Sequence, residues 1–181
     1  GRETILNKTP EAGGCTNTVD LYNPFPDGGG VALYQLNGDA TDVSGNYDGT
    51  ATNVTYGTGE FGQAAVFNSG GSILTVPRSF SATSAYSVSG WMKIPDSGYT
   101  FLNFFWHNIG TDEIGFFYEE DTQKLILRHK FKTNPEVSYT LPSRPVGWNH
   151  YAATFNGSSG TIYVNGSQVA TGALDPKTDI N

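Results

Sequence analysis

From Val31 onward the chain is organised by alternation of apolar and polar residues in short, turn-bounded runs, with no helical period. VALYQL (31–36) leads into the turn pair Asn37-Gly38. QAAVFN (63–68) and SILTV (72–76) flank Ser69-Gly70-Gly71, which predicts a hairpin. In AYSVSGWMKI (85–94), Tyr86, Val88, Met92 and Ile94 share one face, and Ser87, Ser89 and Lys93 share the other. TFLNFFWHN (100–108), EIGFFYE (113–119) and QKLILRHKF (123–131) follow as strands. In the last of these, Leu125, Leu127 and Phe131 oppose Lys124, Arg128, Lys130 and Lys132. WNHYAATF (148–155) then precedes TIYVNGSQVA (161–170). The Asn165-Gly166 pair is the strongest hairpin signal in the chain, because a type I′ turn needs positive φ at both central positions. No stretch supports a helix of three turns, so the expected class is all-β.

Residues 1–30 break the pattern. They hold three of the nine prolines, end in a glycine run and show no period, and so read as an arm or connector, with Leu21 and Phe25 available to dock on a neighbour. Residues 31–181 form the expected domain. Composition narrows the classes further. With 17 acidic against 10 basic residues and a net charge of -7, the chain is unsuited to neutralising phosphates, so no nucleic-acid partner is expected. No apolar run approaches the ~18 residues of a membrane span, so no membrane insertion is expected. Cys15 is the single cysteine and cannot form an intramolecular disulfide. The chain opens at Gly1 with neither a basic nor an apolar leader segment, and it reads as a processed product or a piece of something longer.

Tyr34, Leu36, Gly38, Ala40, Asp42, Ser44, Gly45, Asn46 and Gly49, then Gly59, Gly62, Ala64 and Phe67, stand in the order "Y-x-L-x-G-x-A-x-D-x-S-G-N-x-x-G" followed by "G-x-x-G-x-A-x-x-F". With SVSGWMKI and GWNHYAATFNGSSGTIYVNGSQVATG, they make the stretch from Val31 to Gly172 resemble laminin-G-like domains of the concanavalin A-like lectin/glucanase superfamily. The resemblance implies a jelly-roll β-sandwich of two antiparallel sheets. The YNPFPDGGG linker and the Asp42-to-Phe67 stretch are also similar to repeats in marine bacteriophage adhesin or fibre-like structural proteins. The family usually continues into a closing "G-x-I-D-E-V-R-I-Y" strand, whereas this sequence stops at LDPKTDIN (174–181). Two expectations stay open: a truncated sandwich, or one completed by another chain, for which residues 1–30 are a candidate donor strand.

Catalysis on this fold needs two carboxylates facing a sugar. No Glu-x-Asp-x-x-Glu array occurs, Glu119-Glu120-Asp121 and Asp112-Glu113 read as solvated turns, and the chain is expected not to be an enzyme. His107, His129 and His150 lie in separate strands without metal-ligand spacing, and His150 is expected in or beside the core. The loop Asp42 to Gly49 presents oxygen side chains at alternate positions, so Asp42, Asn46 and Asp48 are candidate Ca2+ ligands. The alternative is that they cap a turn.

Family resemblance implies sugar binding. In 101–107, Phe101, Asn103, Phe105 and His107 fall on one face, and Leu102, Phe104 and Trp106 on the other, with one face expected to line a ligand surface. The basic stripe Lys124, Arg128, Lys130 and Lys132 suits sulfated or uronic glycans, or serves as a solvated face that discourages edge pairing. Trp106, His107, Arg128 and Lys130 are the candidate ligand residues. Four Asn-x-Ser/Thr sequons stand at Asn7, Asn53, Asn156 and Asn165. The expected function is non-catalytic binding of a cell-surface or matrix glycan or glycoprotein, outside the cell or on a virion. A structural fibre module touching only other protein chains is the alternative.

Overall fold

Short strands separated by Gly, Asn and Asp turns give an all-β chain in a computed structural model, which describes residues 30–68, 70–77, 85–96, 99–109, 112–130 and 133–176. Expectations for residues 1–29, for Phe131 and Lys132, and for the final residues 177–181 lie outside the described residues. Two compact units divide the chain, one drawn from Gly1–Gly57 with Ala64–Val76 and the other from Thr58–Gln63 with Pro77–Asn181.

The first unit holds β1 (Thr50–Thr52) and β4 (Ile73–Thr75), an antiparallel pair, and most of β2 (Val54–Thr58) and β3 (Gln63–Phe67), which pair with each other. Asn53 turns the chain between β1 and β2 with φ 52°. The hairpin expected from 63–68 and 72–76 therefore does not form: β3 and β4 are consecutive, but each pairs with an earlier strand. VALYQL is not a strand either, contributing a single bridge between Tyr34 and Asp42.

The second unit is a sandwich of two four-stranded antiparallel sheets. One contains, in spatial order, β12 (Ser167–Ala173), β11 (Ser159–Val164), β10 (Trp148–Phe155) and β5 (Tyr86–Lys93). The other is a meander of β6 (Phe101–Ile109), β7 (Asp112–Glu119), β8 (Lys124–His129) and β9 (Glu136–Thr140). Phe116, Tyr118, Leu125, Leu127, Tyr151, Phe155, Ile162 and Leu174 fill the space between them. Burial on this scale is the main stabilising term of such a fold, at about 1.5–3 kcal/mol for each large side chain. Phe104 stacks on Phe116 with ring centroids 4.8 Å apart and meets Tyr151 of the facing sheet at 4.9 Å. At Gly160 the sheets approach so closely that a Cβ would lie 2.9 Å from Leu127 and 3.0 Å from Leu174. The predicted Asn165-Gly166 turn joins β11 to β12, with φ of 49° and 79°.

One irregularity changes which residues face outward. In β6 the register shifts between Asn103 and Phe105, so Phe104 and Phe105 together oppose Phe116. This β-bulge reverses the alternation beyond it. Phe101 and Asn103 consequently share the outward face with Trp106 and Asn108, while His107 joins Leu102 on the core side, opposite buried Ile114. The expectation from strict alternation placed Trp106 with Leu102 and Phe104, and the extra residue is why it fails.

Candidate functional site

The loop proposed for calcium belongs to the first unit and is built around Asp42. Its Oδ1 accepts from the backbone N–H groups of Leu33 at 2.8 Å and Ser44 at 3.1 Å. Its Oδ2 accepts from the Ser44 hydroxyl and from the Tyr47 N–H at 3.2 Å. Asp48 accepts from the Asp42 N–H at 3.0 Å, and Asn46 donates to Ser44 at 3.3 Å. Burial of Asp42 opposes its ionisation, but the bonds from Ser44, Leu33 and Tyr47 outweigh that and hold the carboxyl below the usual carboxylate range. The Asp42 carboxylate thus faces inward as a cap of backbone donors, the geometry of an Asx-type turn, while exposed Asp48 caps the Asp42 N–H. Among the described residues, no group of three or more His, Cys, Asp or Glu side chains is gathered.

Trp106 and Arg128 do come together, on the outward face of the meander. Trp106, Gly115, Arg128 and Glu136 form one cross-strand row through β6, β7, β8 and β9. Trp106 packs over Gly115, where a Cβ would lie 2.5 Å from Trp106 Cε3. A glycine in mid-strand is what permits that approach. Phe117, beside this row, is 1% exposed although it points away from the core. Phe101 and Trp106 meet it edge-on at 5.8 and 5.6 Å, and the Arg128 guanidinium lies 5.0 Å from its ring centroid. Trp106 stays 37% exposed and Phe101 50% exposed. Trp106 Nε1 donates to Asn108 Oδ1 at 2.9 Å, which fixes the indole in its plane.

The basic stripe is not a row of bare cations. Arg128 donates to Glu136 Oε2 from Nε at 3.0 Å and Nη2 at 2.8 Å. Lys130 Nζ lies 2.6 Å from Glu113 Oε1. An anionic ligand would meet each of these cations already paired with a carboxylate. Glu113 therefore sits in a strand and an ion pair, not in a solvated turn. Glu120 likewise receives Arg144 Nε at 2.7 Å and Nη2 at 3.1 Å. The Arg144 guanidinium holds the Glu120 carboxyl below its usual range despite partial burial. His107 stands on the other side of the sheet from Trp106, Arg128 and Lys130, so it does not join them.

The core histidine is His129, which is fully buried. Its Nδ1 lies 2.7 Å from the Asp175 carbonyl, an acceptor, so Nδ1 carries the proton and Nε2 accepts from Tyr86 Oη at 2.7 Å. Burial pushes the Tyr86 phenol well above its ordinary value, keeping it a donor. His150 instead points outward, half-buried against Trp91 at 5.6 Å. Sequence reasoning missed Gly115 and Phe117 as partners of Trp106; the glycine inside EIGFFYE is the signal that could have found them.

Two sequons are structurally committed. Asn156 Oδ1 accepts from the N–H of Ser158 at 3.1 Å and of Ser159 at 2.8 Å. Asn165 accepts from the His150 N–H at 2.9 Å and donates through Nδ2 to Asn149 Oδ1 at 2.9 Å.

Residues 67–181, more than half of the 181-residue chain, match the model of the concanavalin A-like lectin/glucanases superfamily. Among solved structures, the chain is similar to domain 4 of AbnA, a GH43 extracellular arabinanase from Geobacillus stearothermophilus, in complex with arabinotriose. The two are 25% identical, the match covers 76% of this chain and 71% of that chain, and the TM-score is 0.47. No curated protein matches.

Proposed function

The chain belongs to the concanavalin A-like lectin/glucanase superfamily, and from that premise we propose that it is a non-catalytic glycan-recognition module whose ligand lies on the outward face of the meander. The observation that carries this reading is the Trp106 indole, exposed, laid over Gly115 and pinned through Nε1. A flat aromatic face held in place takes up the C–H face of a sugar ring with little loss of side-chain freedom. Arg128, beside it in the same row, supplies donors for hydroxyl oxygens. Its engagement with Glu136, and that of Lys130 with Glu113, favours a neutral sugar over a sulfated one. The wider setting in this reading is an extracellular protein, with a phage adhesin or fibre as its narrower form, resting on the resemblance of the 42–67 stretch.

A glycan array with the whole chain tests the reading, run in calcium and then in EDTA, beside Trp106→Ala. Binding that survives EDTA and is weakened in Trp106→Ala is the expected result. Binding abolished by EDTA would move the site to the Asp42 loop. A folded, monodisperse chain that binds no glycan would overturn the reading in favour of a module that contacts only protein.

A further inference from the structure

We infer that the outward face of the β5–β10–β11–β12 sheet is a second carbohydrate site, a platform for an uncharged polysaccharide with Phe61 and Trp91 at one end. It shares with the preceding reading the premise that the chain recognises glycans, but it uses none of the same residues. Trp91 is 45% exposed in β5, and Phe61, between β2 and β3, is 73% exposed. The two rings meet edge to face at 5.4 Å and 80°. His150, opposite Trp91 in β10, meets the same indole at 5.6 Å and 60°. Trp91 is thus set between two rings inclined to its own plane, so the cluster offers apolar surface without needing to be ordered on binding.

The same face carries a row of hydroxyls. Ser87, Thr154, Thr161 and Thr171 form one cross-strand row through all four strands, with Thr161 Oγ1 and Thr171 Oγ1 3.1 Å apart. Hydroxyls both donate and accept, as sugar hydroxyls do, so either partner's orientation can be matched.

Charge selects the ligand class. Although the chain carries 17 acidic residues, β5, β10, β11 and β12 contain no Asp or Glu, and Lys93 is their one Lys or Arg. Within these strands a polyanion finds one cation and a basic peptide finds no carboxylate. An uncharged polyol meets no desolvated ion, and aromatic rings with hydroxyl rows match its alternating C–H and O–H surface. The meander face differs in kind, since its aromatic residues are interleaved with the Arg128–Glu136 and Lys130–Glu113 pairs.

Affinity electrophoresis of the full chain through gels containing mannan, arabinan, xylan or β-glucan tests this, with pectate and heparin as charged counterparts. Trp106→Ala is expected to remain retarded by at least one neutral polysaccharide. Adding Trp91→Ala or Phe61→Ser is expected to weaken that remaining interaction by about tenfold. Both side chains are exposed, and an unchanged thermal transition checks that the variants fold. The inference is overturned if Trp106→Ala abolishes all retardation, if the Trp91 and Phe61 substitutions leave it unchanged, or if only pectate and heparin retard the chain. It is also overturned if these substitutions instead dissolve a concentration-dependent dimer, which would make the face a protein interface. Full retention of binding by Trp106→Ala, lost with Trp91→Ala, would overturn the meander site while supporting this one.

Discussion

Trp106 and Gly115 face each other across β6 and β7 with no room for a methyl group: a Cβ at 115 would come within 2.5 Å of the indole. Gly115→Ala must therefore displace the ring. It is expected to cost about 1–3 kcal/mol of stability and to shift tryptophan emission. If Trp106 is the ligand platform, glycan binding falls as far as in Trp106→Ala. Unchanged emission and binding in Gly115→Ala would show that the indole can relax without consequence.

Gly160 is the corresponding pinch point inside the sandwich, with Leu127, Leu174 and Val137 within 3.1 Å of a Cβ built there. Gly160→Ala is expected to lower stability by about 1–3 kcal/mol through overpacking, read as a lower urea midpoint. Glycan affinity should stay as it is, because both candidate faces lie on the opposite sides of the sheets.

The Tyr86–His129 bond joins the two sheets through the core. Tyr86→Phe keeps the ring and its packing on Phe155 at 5.6 Å but removes the hydroxyl from which the buried Nε2 accepts. The expected loss is about 1–3 kcal/mol. Equal urea midpoints for parent and variant would show that the bond adds nothing net.

Acid should destabilise the chain through Asp42 and Glu120. Both carboxyls are held below their ordinary values in the folded state, Asp42 by hydrogen bonds that outweigh its burial and Glu120 by Arg144. A lowered folded-state value means the stabilisation is complete above the unfolded value of about 4. It is lost as pH falls through the folded value. Asp42→Asn and Glu120→Gln should each be less stable than the parent near neutrality, with the difference shrinking on acidification. Denaturation midpoints measured from neutral pH to about pH 2 would show this convergence, and a constant difference would count against it.

The facing of β5 was legible because its alternation gives one wetter and one drier face. Tyr86, Val88 and Met92 turn inward along β5, and Leu125 and Leu127 along β8, as the pattern predicts. Both sides of β6 are aromatic, so alternation there cannot say which side is the core, and the bulge at Phe104 then moves Trp106 to the side opposite Phe104. Pairing between distant strands was less legible still. Nothing local to SILTV sends it to β1 instead of β3, and nothing near Arg128 announces Glu136 as its partner. These depend on which segments the topology makes neighbours, and a single strand's pattern carries no record of its partner.

The Asn165 side chain has a bearing on biosynthesis. Its Nδ2, the atom to which an N-linked sugar attaches, is bonded to Asn149 across the closed β10–β11 pair. In a cell that glycosylates, the Asn165 sequon is a race: the transferase has to reach the amide before β11 folds back on β10, and a chain that closes this hairpin promptly leaves the site bare.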